Sequence, residues 1–97
     1  MISSDFKGWC ERNGGKIRGE EFRCHFNNGH VKFDDDEIYV LKRDKYQHQD
    51  QLWEGEDPQL VRRGDMIRAR GGEETERWEH SEFGVEAEDG KLHVGYL

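Results

Sequence analysis

Ninety-seven residues, of which 32% are apolar and 38% charged, make one small domain with a thin core, read as a single unit over residues 1–97. The formal net charge of −7 is unevenly placed: residues 1–33 carry six Lys/Arg against four Asp/Glu, residues 34–61 three against nine, and residues 62–97 six against nine. An acidic chain with no long basic stripe is not expected to bind duplex DNA, and 11% aromatic residues with regular apolar alternation argue against disorder.

No apolar run approaches the roughly 18 residues needed to cross a bilayer. The start MISSDFKGW has no charged segment leading into an apolar one, as an export signal would. The expected setting is the cytoplasm or the interior of a larger assembly, away from membranes.

Ser4 is placed to cap a short helix whose Phe6, Trp9 and Cys10 recur at i, i+3 and i+4, with Asp5 at the positive end. Asn13-Gly14-Gly15 supplies a left-handed stop. Lys16–Arg18 predicts a short strand turning at Gly19-Glu20. Residues 21–26 and 31–33 predict a hairpin with Asn28-Gly29 at its tip in a type I′ turn. In that register Cys24 faces Phe33, and Phe22, Cys24, Phe26, Val31 and Phe33 share the inner face. Arg23, His25 and Lys32 then share the outer face, with Arg23 across from Asp34 and His30 near the tip.

Glu37–Lys42 predicts a strand covered on both sides. Residues 43–58 fit either a helix capped by Asp44, with Tyr46, Gln49, Leu52 and Trp53 on one face, or a long loop ending in an Asp57-Pro58 turn. Met66–Arg70 predicts a strand entered through Gly64-Asp65 and left through Gly71-Gly72, and Thr75–His80 a returning strand with Trp78 inward. The last hairpin has Asp89-Gly90 at its tip. Phe83, Val85, Ala87, Leu92, Val94 and Tyr96 fall on one face, and the Gly84–Gly95 pair leaves a bare patch on the other. The expected fold is α+β and predominantly β: a small antiparallel sheet or partly open barrel built from hairpins, with one short N-terminal helix packed on it.

Three readings stand for Cys10 and Cys24. Bonded, they join helix to strand and close a loop of about 15 residues, which stabilises by about 3 kcal/mol. Unbonded, they are two buried thiols acting as small apolar residues. A zinc site would recruit His25 and His30, but neighbouring residues on a strand point to opposite faces, which separates Cys24 from His25. The run from Trp9 through Cys10, Gly14-Gly15 and Cys24 to Gly29 resembles the Cys-x-x-x-Gly-Gly start of small cysteine-bearing domains of bacterial envelope proteins. The later cysteines of that pattern are missing here, and no role is carried over.

Arg23, His25, His30 and Lys32 form a candidate interaction face suited to a carboxylate or a phosphate, set against the alternative of a solvated face. Asp34–Glu37 lacks the glycine and terminal Glu of a calcium loop. With Glu54, Glu56 and Asp57 it could instead mimic a nucleic-acid backbone. Glu76, Glu79 and His80 fit an exposed charged ladder as well as an acid/base pair. None of the three serines sits in a nucleophile elbow, and Gly14-Gly15-Lys16 follows a helix rather than preceding one as a phosphate loop does. No catalytic residue, metal ligand or cofactor is therefore assigned. The expected function is a small acidic non-enzymatic interaction or structural module, such as an assembly subunit of a virus or mobile element, with a protein partner or self-association. The alternatives are a nucleic-acid-mimicking inhibitor of a basic protein and a cysteine-based redox or metal-binding module.

Overall fold

The computed structural model describes residues 4–20, 22–43, 49–61, 66–74 and 82–97. The proposed elements at Thr75–His80, the Gly64-Asp65 turn, and residues Asp44, Tyr46, Trp78, Glu76, Glu79 and His80 lie outside these. Among the described residues one helix, α1 (Ser4–Arg12), precedes eight strands: β1 (Lys16–Arg18), β2 (Arg23–Phe26), β3 (Gly29–Phe33), β4 (Glu37–Lys42), β5 (Gln51–Val61), β6 (Met66–Glu74), β7 (Glu82–Glu88) and β8 (Lys91–Tyr96). They form one open antiparallel sheet in which each strand pairs with the next, in the order β1 to β8.

The helix forms as its spacing predicts. Phe6, Trp9 and Cys10 are all fully buried, with Phe6 stacked on Trp9 and on Phe33 at centroid distances of 5.7 and 5.0 Å. Trp9 meets Phe26 edge-on at 5.6 Å. Asn13-Gly14-Gly15 ends the helix in a Schellman motif. Gly14 takes φ 83°, its N–H donates to Glu11 O, and the Gly15 N–H donates to Cys10 O at 2.8 Å.

Cys10 and Cys24 form a disulfide. Both are fully buried, and a Cβ on Gly15 would lie 2.5 Å from one sulfur and 2.9 Å from the other. The crosslink ties α1 to the inner face of β2, where Val31, Phe33, Ile38, Val40, Trp53, Ile67, Ala69, Phe83, Val85 and Leu92 complete the core.

The last hairpin has the expected register, Val85↔Val94 and Glu88↔Lys91, around Asp89 and Gly90 at φ 52° and 75°. Gly84 does pair with Gly95, but the patch is bare only at Gly95, where a Cβ would meet open space, because the Met66 sulfur lies 2.7 Å from where a Gly84 Cβ would sit.

The first hairpin differs. Its tip is Asn27-Asn28, with Phe26↔Gly29, His25↔His30 and Cys24↔Val31, and neither asparagine nor Gly29 takes positive φ. Gly29 sits inside β3, where a Cβ would run into the Leu41 carbonyl. It is needed there for its missing side chain and not for a turn. Phe22 is not on the inner face. The turn closed by the Phe22 N–H on Gly19 O at 3.3 Å holds it at φ 53° and 52% exposed.

Residues 51–61 are a strand, so Leu52 and Trp53 point to opposite sides rather than sharing a helical face. Asp57-Pro58 is a bulge within β5, with Asp57 at φ 47°, not a chain reversal. Gly71 at φ 67° likewise lies within β6, which continues to Glu74. Gly55 faces inward, and the Phe83 ring lies where its Cβ would be.

The open sheet curls until its last hairpin meets the β2–β3 turn. Asn28, at the β2–β3 turn, donates from Nδ2 to Leu92 O at 3.0 Å and accepts on Oδ1 from the Leu92 N–H at 2.7 Å. Alongside it, the Asn27 N–H donates to Gly90 O. No helix among the described residues is long and apolar enough to cross a membrane.

Candidate interaction face

Side chains alternate along each strand, so the inner core fixes what the outer face carries. With Ile17, Cys24, Val31 and Val40 directed inward, two cross-strand rows form on the outside of β1–β5. One runs Lys16↔His25↔His30↔Leu41↔Leu52. In the other, Arg18 pairs with Arg23, then Lys32 with Tyr39 and Tyr39 with Glu54. All four predicted residues, Arg23, His25, His30 and Lys32, thus lie together, and each is half-buried. The His25 and His30 rings stand 5.2 Å apart, an Arg23 guanidinium nitrogen lies 3.4 Å from His30 Nε2, and His30 stacks on Tyr39 at 6.2 Å.

Sequence reasoning missed Lys16, Arg18 and Arg43. The first two join from β1 through its register with β2. Arg43 is placed beyond β4 by its N–H bond to Asn28 O at 2.7 Å. The field of Arg18 and Arg43 reaches the imidazoles. The His25 pKa is lowered, first by burial and then by the Arg18, Arg23 and Arg43 charges. That of His30 is lowered by burial, then by Arg23, His25 and Arg43. Both are thereby held toward the neutral form near pH 7, and neutral His30 can accept the Arg23 donor.

The acidic residues gather beside this cationic strip. Glu37 pairs with Glu56 across β4 and β5, and the Asp57 N–H donates to Asp36 O at 2.9 Å, which brings the 34–37 turn against 54–57. All of these carboxylates are exposed. Within the turn the Asp36 N–H donates to Asp34 Oδ1 at 3.4 Å, and the Asp34 N–H to Glu37 O. Arg70 stands 3.8 Å from Asp57. Among the described residues no group of three or more His, Cys, Asp and Glu could hold a metal ion. His25 lies on the face opposite the disulfide, as strand alternation requires.

The outer face is therefore polarised, with Lys16, Arg18, Arg23 and Lys32 on β1–β3 and Arg43 past the end of β4, Tyr39 and Leu41 on β4, and carboxylates on β5 and around the β3–β4 turn. No protein-family model, curated protein or solved structure matches this chain.

Proposed function

We propose that the protein is a small non-enzymatic interaction or structural module that docks on a protein partner through the outer face of β1–β5. The observation that supports this is the gathering of Lys16, Arg18, Arg23, Lys32 and Arg43 on one side of a chain of net charge −7. In an acidic molecule such a concentration orients a partner and sets its register. The test is affinity purification of the full chain from its native host, with Arg18→Glu/Lys32→Glu as the comparison. A stable partner lost by the variant, which keeps its near-UV circular dichroism, is the expected result. An association indifferent to the reversal refutes the reading.

A second reading is favoured by the acidic ridge of Asp34–Glu37, Glu54, Glu56 and Asp57, assembled by the β4–β5 register. It would make the chain an inhibitor that occupies a basic, nucleic-acid-binding surface. Steeply salt-dependent binding to a basic protein, lost in Glu54→Lys/Glu56→Lys and kept in Arg18→Glu/Lys32→Glu, distinguishes it. A redox role for Cys10 and Cys24 draws no support from two sulfurs sealed under α1, because thiol exchange needs access.

A further inference from the structure

A sheet face that is cationic at one side and acidic at the other is complementary to itself. Across β2–β5 one row carries Arg23, Lys32, Tyr39 and Glu54 in that order. The next row carries His25, His30, Leu41 and Leu52. Rotation about a two-fold axis lying along the sheet between β3 and β4 reverses each row.

We propose that two copies of the chain dock outer face to outer face about that axis, Arg23 of each against Glu54 of the other and Lys32 of each over Tyr39 of the other. The inference rests on the reading of this face as an interaction surface and names its partner. Each pair occurs twice, as an isologous interface requires. The Lys32–Tyr39 contact is a cation over an aromatic ring, and the second row sets His30 against Leu41 and His25 against Leu52.

A polyanion is a poorer occupant. Glu54 stands two strand spacings, about 10 Å, from Lys32 and repels a phosphate chain laid across the face. The net charge of −7 opposes dimerisation only weakly, because charges beyond about 8 Å are screened at physiological salt while contacting pairs are not. Four strands span about 14 Å and run about 20 Å in length, so the face offers only about 300 Å², well short of the roughly 800 Å² per partner of a stable interface. The dimer is accordingly weak, reversible and sensitive to salt.

Sedimentation equilibrium of the full chain tests this. The weight-average mass should rise with concentration from 11.5 kDa toward twice that value at low salt. Dissociation should strengthen at least about tenfold between about 50 and 300 mM salt. Arg23→Glu and Glu54→Arg should each be monomeric, and an equimolar mixture of the two should recover the dimer, since each reversed charge then meets its opposite. Because Arg23 is half-buried, Arg23→Gln and Glu54→Gln serve as milder variants, and the salt titration of the unmodified chain needs none. A monomer at low salt that still captures a foreign partner through Arg18 and Lys32 overturns the dimer and leaves the interaction reading standing. A monomer that captures nothing overturns both. A dimer indifferent to both reversals, or a single-stranded oligonucleotide bound in an Arg23-dependent way, also overturns the proposal.

Discussion

Replacing Cys10 and Cys24 together by alanine tests how much of this fold depends on its crosslink. The bond joins residues 14 apart and closes a loop of about 15 residues, so its removal costs about 3 kcal/mol in unfolded-chain entropy. Packing adds to that loss. Both cysteines are fully buried, with Gly15 close against their sulfurs. Alanine therefore leaves a space that the rigid Schellman turn is poorly placed to refill. A domain of this size has a total stability of roughly 5–15 kcal/mol, and each kcal/mol moves its midpoint by roughly 4–8 °C. The melting temperature should fall by at least about 12 °C.

Thermal and urea unfolding followed by circular dichroism measure the effect. The urea m-value should rise, because the uncrosslinked chain exposes more surface on unfolding. The native protein should also resist reductant until denaturant is added. A shift below about 4 °C with an unchanged m-value would refute the reasoning, and α1 would then be held by Phe6 and Trp9 alone.

Asn28→Ala removes both bonds to Leu92 and strands two backbone groups, so it should cost about 2–4 kcal/mol by urea titration. Gly29→Ala drives a Cβ into the Leu41 carbonyl and should cost about 3 kcal/mol or more, whereas Gly19→Ala, with open space around a φ of 79°, should cost only about 1 kcal/mol. Acid should weaken the fold through His25 and His30. Unfolded histidines take up protons near pH 6.5, while the folded ones resist because their pKa values are lowered. Their stabilising contribution is complete above pH 6.5 and lost as pH falls through the folded values. The urea midpoint should therefore drop as the pH falls below about 6.5, and His25→Gln/His30→Gln should flatten that drop.

The parts of the fold legible in the sequence were those governed by local rules. Asp89-Gly90 takes the positive φ angles that its turn demands, and the alternation beside it sets every pair of the last hairpin. The α1 stripe and its glycine stop were equally local. At the first hairpin the Asn-Gly signal misplaced the tip by one residue. The glycine answers to a carbonyl on β4, a contact no neighbour in sequence reveals. Moving the tip by one shifts each pairing by two residues, which preserves strand faces. Cys24 therefore stayed inward, and Arg23, His25 and Lys32 outward. β5 was obscured because its bulge at Asp57-Pro58 breaks the alternation, while Leu52 and Trp53 satisfy a helical template. The candidate face was visible only where one hairpin carries it. Lys16, Arg18 and Glu54 join through the registers of adjoining strands, and the polarity across β2–β5 exists only once those registers are set.

A meander in which every strand neighbours its successor can assemble as a zipper, each step closing a short loop. The Asn28 amide is different in kind. It stands in for a peptide group and joins positions 64 residues apart. Such a clasp can fasten only after the strands between have paired, so it belongs to the final stage of folding and is largely absent from the transition state. Its loss should then leave the refolding rate nearly unchanged and raise the unfolding rate by almost the whole equilibrium effect. On this view the Asn28 clasp, with the Asn27–Gly90 bond beside it, prolongs the native state between openings, while the local hairpins set how fast it forms.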